Sequence, residues 1–416
     1  MAQPDTPDQP GLLNTTRRYG SVARGLHWLT ALLILTAIPL GIAARQWPYD
    51  LSDQLLVKAT LFSVHKTLGL ATFLVALLRI IWSLSQPRPR MLPVASGWQA
   101  ATAEVTHWGL YIGMIIVPLS GWLQHAATTG FAPIWWPFGQ TLPFIPQSEP
   151  VATFFGAWHW LFTKVLAAAI LLHILGALKH HYIDRDATLA RMLPGHPNLP
   201  AVLPAHKGIG TGRAAGAAVA IWALALAGGT APGLQPPRDA SGFAPALARV
   251  PSDWVVETGT LEITVQQFGH PVTGRFADWT ARISFSESVP AGAPHGAVEV
   301  KVATDSLRLG GVTDQATGAE FLNTGAFPTA TFTGPVTTRE GGGYVIEGTL
   351  SLIGRDVPAR LPFVLHIENG IATAHGTLTL DRRNFGIGPS YPDAASVGFI
   401  VEVAVNLTAT RAADTE

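Results

Sequence analysis

Cysteine is absent from the 416 residues, which removes disulfides, iron–sulfur clusters, covalently attached c-type haem and thiol catalysis together. Charge is scarce as well. Asp, Glu, Lys and Arg make up 13% of the chain, against about 25% in ordinary soluble domains. That balance excludes a single soluble globule. The 27 basic residues cancel the 27 acidic ones, so there is no electrostatic case for a nucleic-acid partner. The length points to two or three domains at roughly 150 residues each. What the chain does hold in excess is 14 His and 13 Trp.

Long apolar runs are confined to the part before residue 230, and the remainder alternates in short stretches separated by Gly and Pro. A helix needs about 20 apolar residues to cross a bilayer. Four segments meet that length: Leu26 to Ala44, Leu61 to Leu84, Trp108 to Trp122 with its flanks, and Phe154 to Leu178. A weaker fifth runs from Ala214 to about Ala231.

Lys and Arg beside the spans are retained in the cytoplasm. Arg17, Arg18 and Arg24 precede the first span, Arg88 and Arg90 lie between the second and third, and Lys179, Arg185, Arg191, Lys207 and Arg213 follow the fourth. The opposite loops hold only Arg45 and Lys58 in one case and no Lys or Arg from Ala126 to Thr153 in the other, where Trp135 and Trp136 suit an interfacial belt. The N-terminus is thereby expected in the cytoplasm. About 25 polar residues precede the first span and no A-x-A site follows it, so a cleaved N-terminal signal is not expected. A fifth crossing would carry everything after residue 230 to the outer side. That segment has two readings, an anchor or an internal signal cleaved near Ala223 to Ala227.

Of the ten His before residue 230, eight lie in or near the four spans: His27, His65, His107, His125, His159, His173, His180 and His181. An ionisable group inside a span is a functional-site hypothesis by default. His180, His181 and His125 sit at span ends, where an interfacial role suffices. His159 and His173 share one span and are fourteen residues apart. That spacing is about 21 Å of rise and about 40° of rotation, so both face one way at different depths. The direction of each span places His27 at the depth of His173, and His65 at the depth of His159. Two stacked cross-helix pairs of imidazoles, with no Cys or carboxylate near, suit six-coordinate b-type haem, bis-His and non-covalent. Zinc or copper would want more ligands at one level, and the plain alternative is hydrogen-bonded helix glue. Gly69 and Gly176 are candidates to leave room for a flat macrocycle, with ordinary helix packing the alternative. His107, at the cytoplasmic level, either lines a quinone or proton site, bonds a propionate, or merely packs. Arg24, Lys58, Lys66, Arg79 and Lys164 are candidate propionate partners, with snorkelling the alternative for Lys164. Lys58 and Lys66 could also attract an anion on the outer side.

Arg24-Gly-Leu-His27-Trp28-Leu29, His65-Lys-Thr-Leu-Gly69 followed by Leu77-Leu78-Arg79, Pro118-Leu-Ser-Gly121-Trp122, and His173 through Leu178-Lys179-His180-His181-Tyr-Ile-Asp184-Arg185-Asp186 together resemble the bacterial cytochrome b561 family over about residues 15 to 195. The resemblance implies a four-helix di-haem protein that exchanges electrons with the quinone pool, one branch oxidising superoxide at the outer face and reducing ubiquinone. The family's haem ligands map onto His27, His65, His159 and His173.

A Pro- and Ala-rich linker runs from Pro232 to Pro251. Beyond it come about eight strand-like runs: Leu261 to Phe268, Ala281 to Glu287, Ala297 to Ala303, Ala330 to Pro335, Tyr344 to Ile353, Leu361 to Ile367, Ile371 to Leu380 and Phe399 to Ala409. Turns at Glu340 to Gly343 and at Asn369-Gly370 argue an antiparallel barrel whose interior packs solid or holds one elongated ligand. No catalytic triad, metal spacing or carboxylate pair stands out, which favours a binding module. Gly348 through Arg355-Asp-Val-Pro358, Glu320 through Pro328-Thr-Ala-Thr-Phe332, and Leu380-Asp-Arg-Arg-Asn-Phe385-Gly-Ile-Gly388 followed by Val397-Gly398 are similar to the YceI-like family over about residues 253 to 411. That implies a lipocalin-like barrel around a polyisoprenoid chain, quinone tails included; this sequence departs from the family between Val272 and Ser286, a segment shorter than usual that bears on the cavity mouth.

The expected architecture is an all-α transmembrane four-helix bundle in residues 1–200, a fifth transmembrane helix or internal signal with the linker in 201–250, and an all-β antiparallel barrel in 251–416. The expected setting is the bacterial inner membrane, with the barrel in the periplasm. The expected function is electron transfer between a periplasmic one-electron donor, superoxide among the candidates, and the ubiquinone pool, with an isoprenoid lipid in the barrel. The alternative is a cytochrome subunit serving another donor, with a barrel that is a passive carrier.

Overall fold

A computed structural model describes residues 11–89, 92, 97–128, 131–195, 199, 209–229, 247, 251–290, 292–339 and 341–412. The linker of Pro232 to Pro251, apart from Leu247 and Pro251, lies outside those residues, as do Arg90, Lys207, Ala231 and Glu340. The chain forms two compact units, one of residues 1–45, 61–127 and 134–238, the other of 46–60, 128–133 and 239–416.

The first unit is built from α1 (Ser21–Gln46) up to residue 45, α2 (Ser52–Leu84) from residue 61 on, α3 (Gly97–Ala127), α4 (Glu149–Lys179) and α5 (Thr211–Gly229). All five are long and apolar enough to cross a membrane. Each begins before its expected apolar run and ends near or past it, because the polar flanks stay helical. α4 opens with Pro in its first turn and closes through a π-helical turn, His180–Asp184, with Arg185 left-handed behind it. Leu32, Leu35, Leu78, Ile81, Leu171 and Leu175 are exposed, the face a bilayer covers.

Between helices the contacts rest on small residues. α5 buries Ala214, Ala218, Trp222, Ala225 and Gly229 along one stripe. Trp222 joins Val117, Phe162 and Leu166 in one cluster, and its indole N–H donates to the Gly109 carbonyl at 3.1 Å. A methyl on Gly113 would meet that indole at 2.8 Å and Leu166 at 2.9 Å, so glycine sets how closely these helices approach.

The second unit is a ten-stranded antiparallel sheet of β1 (Trp254–Gln267), β2 (His270–Phe276), β3 (Trp279–Phe285), β4 (Gly296–Ala303), β5 (Leu307–Arg308), β6 (Thr329–Thr338), β7 (Tyr344–Leu352), β8 (Arg355–Glu368), β9 (Ile371–Asp381) and β10 (Val397–Arg411). Its order is β3-β4-β6-β7-β8-β9-β10-β1-β2-β5. A short helix α6 (Thr313–Thr317) sits between β5 and β6. The sheet curls until β1 meets β3: Gly259 leaves room for the Trp279 ring, which a methyl there would meet at 2.7 Å. Trp254, Phe285, Phe332, Val336, Ile346 and Leu361 belong to the main core cluster inside the curl.

About eight strands were expected and ten are present among the described residues. The extra pair has a physical origin. β1 and β2 form a hairpin closed by Phe268 and Gly269, both at positive φ, with Gln267 opposite His270. That is the backbone of a two-residue primed turn with Phe where Asn or Gly is usual, so the chain reads as one interrupted strand. β5 is only two residues long and carries no alternation to detect. The Asn369-Gly370 turn joins β8 to β9 as expected.

Candidate functional site

The helical unit brings the four expected His together in two pairs. The His27 and His173 ring centroids are 6.0 Å apart and those of His65 and His159 are 6.2 Å apart, each pair near perpendicular. Metal–imidazole bonds of about 2 Å on both sides of one ion separate two such rings by roughly 6 Å. The orientation fits as well. His65 Nδ1 lies 2.9 Å from the Ala37 carbonyl and His159 Nδ1 lies 2.9 Å from the Val117 carbonyl. A carbonyl only accepts, so each Nδ1 carries the proton and each Nε2 keeps its lone pair, the arrangement of a metal-ligating imidazole. His27 Nδ1 is buried with no hydrogen-bond partner.

The two carbonyls are reached by the same device. Ala37 and Val117 each lie four residues before a glycine, Gly41 in α1 and Gly121 in α3. A methyl on Gly41 would meet the His65 ring at 2.7 Å, and one on Gly121 the His159 ring at 2.9 Å. Absent side chains therefore let each imidazole reach its carbonyl. Sequence reasoning missed this role for both glycines. The available signal was a proline two or three residues before each, Pro39 and Pro118, inside an apolar span. Gly69 and Gly176, singled out as room for a macrocycle, have nothing within 4 Å of where a methyl would stand. The donor set and these open positions fit haem.

His107 lies edge-on to His173 at 5.1 Å between centroids, so the His27 end holds three imidazoles. Arg24 donates from Nη1 to the Leu193 carbonyl at 2.7 Å, while its Nε is buried without a partner. The Arg79 guanidinium lies 5.6 Å from the Tyr111 ring centroid. Lys164 Nζ rests 4.5 Å from the Trp160 ring centroid, the cation–π seat of a snorkelling side chain. Lys58 belongs to the other unit, where it donates to the Trp47 carbonyl at 2.6 Å. At the His65 end, Lys66 Nζ lies 3.3 Å from His125 Nδ1, and His125 Nε2 lies 2.9 Å from Gln140 Oε1. An ammonium only donates, so the His125 proton sits on Nε2 and points to Gln140. His125, which needed only an interfacial role, is part of a directed polar chain. Outside the spans, His180 Nδ1 lies 2.7 Å from Asp186, and Lys179 pairs with Asp184 at 2.5 Å, an ion cluster at the span end as expected.

The barrel holds a cavity of about 290 Å³, lined by apolar and aromatic side chains except at Gln267, Thr304, Gln315 and Arg382. Arg382 is buried and its five N–H groups reach the carbonyls of Gly398, Ile387, Gly388, Tyr391 and Val397 at 2.6 to 3.0 Å. Burial pulls its pKa down, but a guanidinium so fully bonded stays charged. Thr304 spends its hydroxyl proton on the Phe327 carbonyl at 2.6 Å. Gln315 Nε2 donates to the Tyr391 hydroxyl at 3.1 Å, and that hydroxyl donates to the Tyr49 carbonyl in the same unit. Burial pushes the Tyr391 phenol above its ordinary pKa, keeping it a donor.

Residues 18–195 match the family model described as prokaryotic cytochrome b561, and residues 254–409 match that of the YceI-like domain. Cytochrome b561 homolog 2 of Escherichia coli K12 is 33% identical over 187 residues, which are 43% of this chain and 93% of that protein. A Yersinia pestis protein named "Probable superoxide oxidase CybB" is 31% identical over 183 residues, 43% of this chain and 97% of that one. Among solved structures, BcnA of Burkholderia cenocepacia is 25% identical with a TM-score of 0.34, covering 36% of this chain and 96% of that one.

Proposed function

Because this chain belongs to the prokaryotic cytochrome b561 family and carries a YceI-like domain after it, we propose that it is a membrane di-haem cytochrome passing single electrons between an outer donor and the ubiquinone pool. The observation that carries this is the two imidazole pairs, at 6.0 and 6.2 Å, one toward each end of α4. His27 with His173 and His65 with His159 would each hold one b-type haem. A bound haem supplies reversible one-electron storage, and two of them match a one-electron donor to a two-electron acceptor. The protein's part is positional. The Ala37 and Val117 carbonyls fix the tautomers of His65 and His159, Gly41 and Gly121 admit the rings, and exposed leucines hold the bundle in lipid.

Superoxide is the donor we favour. The Yersinia relative's name points that way, and Lys66, beside His65, puts positive charge at the end assigned to the periplasm. The overall reaction would oxidise two superoxide to two oxygen while one quinone takes two electrons and two protons to become quinol. The basic flanks support an inner-membrane placement with the N-terminus in the cytoplasm and the barrel in the periplasm, α5 serving as its anchor. The barrel, with its apolar cavity, would bind an isoprenoid lipid, the quinone tail included. The test is rapid mixing of haem-loaded protein with superoxide and ubiquinone. One quinol formed per two superoxide consumed supports the reading; consumption no faster than spontaneous dismutation would leave a cytochrome for another donor.

A further inference from the structure

The amide orientations at the polar end of the barrel cavity are fixed by one group that can only accept. The Tyr49 carbonyl takes the Tyr391 hydroxyl proton, so that hydroxyl must accept from its other neighbour, Gln315. Gln315 therefore turns its NH2 toward Tyr391 and its carbonyl toward Gln267. Gln267 must then donate, and its Nε2 lies 3.4 Å from Gln315 Oε1. The chain of donors runs one way and ends on Gln267 Oε1. That oxygen is buried without a hydrogen-bond partner, on a residue only 4% exposed that lines the cavity. The other polar residues of the lining cannot supply it: Arg382 directs all five N–H groups at backbone carbonyls, and Thr304 has given its only proton to Phe327. A buried acceptor left unmatched is unfavourable, and a ligand that brings no donor keeps that cost.

We propose that the cavity selects isoprenoid lipids ending in a hydroxyl donor, a hydroquinone or a prenol, with that O–H placed on Gln267 Oε1. The inference rests on the reading of the barrel as an isoprenoid binder. It adds a preference: a ketone-bearing quinone or an ether offers only acceptors and leaves Gln267 unmatched, whereas a quinol or alcohol completes the chain. In a protein that reduces quinone, the barrel would hold the reduced form in preference to the oxidised one.

The test titrates the full-length, haem-loaded protein with a polyprenol and with its methyl ether, which differ at the donor group. The alcohol is expected to bind roughly ten-fold tighter, and Gln267→Leu is expected to bring that ratio near one while ether binding persists. The wild-type ratio decides the matter even if the variant fails to fold. Equal binding of alcohol and ether by the wild type overturns the proposal but leaves the barrel a lipid binder. Binding of neither overturns the lipid-binding reading and the proposal with it. A parallel pair, ubiquinol and ubiquinone under anaerobic conditions, identifies the source. A Gln267-dependent preference for quinol names the quinone pool, and a preference confined to the prenol names a polyprenol.

Discussion

Arg382 shows how a single buried charge is held without a carboxylate. Its five donors meet carbonyls of the segment Ile387 to Gly398, the same segment that carries Tyr391 to the cavity's polar end. Arg382→Met should destabilise the barrel by roughly 3 kcal/mol, since several buried carbonyls lose their donors at once. Arg382→Lys should recover little, an ammonium having three donors and no planar fork. Chemical denaturation followed by β-sheet circular dichroism checks both. Asp393 closes the same segment by accepting the Ser396 N–H at 2.7 Å, which holds its carboxyl below the ordinary Asp range. A lowered folded pKa contributes stability above the ordinary value and loses it as pH falls through the depressed one. Amide exchange at Ser396 should therefore be insensitive to opening from neutral pH down to about 4, with protection lost only below. Loss beginning near pH 6 would contradict this.

In the helical unit, the residues hardest to foresee are those with nothing to show. Gly41 and Gly121 carry no chemistry of their own, and no periodicity marks them. Their role exists only because His65 and His159 arrive from other helices. The pairing of the four His rings was legible because depth and helix direction follow from charge and rise per residue. Gly121→Val should drive the His159 ring off the Val117 carbonyl and lower haem content from two toward one per chain. Gly139→Val, with open space around it, should leave it at two.

At the scale of elements, the five spans were legible because bilayer thickness imposes a length that hydropathy can detect. Their ends were less so, since helices such as α2 continue into polar flanks that no apolar count includes. The strands tell a complementary story. Asn369-Gly370 announced its hairpin, but Phe268-Gly269 did the same work with a residue that signals core, and β2 was lost with it. α5 offers an element-level test. Ala218 is fully buried beside the Trp222 stripe, and the chain has no other thiol. Ala218→Cys should resist a membrane-permeant maleimide, and adding Trp222→Ala, worth about 3 kcal/mol of packing, should expose it. An immunoblot against the barrel should show one full-length band. A free fragment of about half the mass would return α5 to the role of a cleaved signal.

At the scale of the whole molecule, the missing cysteine and the scarce charge describe two unlike units at once. One exposes apolar side chains on its outside, the face a bilayer covers, and the other turns them inward around the barrel cavity. The His that set this chain apart divide accordingly: four pair in the helices, while His375 of the barrel bonds Asn406 on its exposed surface. Electron relay by two stacked sites is the claim on which the rest depends. Pyridine haemochrome analysis of purified protein against its chain concentration tests it most directly. Two b-type haems per chain are expected in the wild type, with one remaining in His159→Ala and one in His173→Ala. A single haem in the wild type, or content unchanged in either variant, would contradict the pairing.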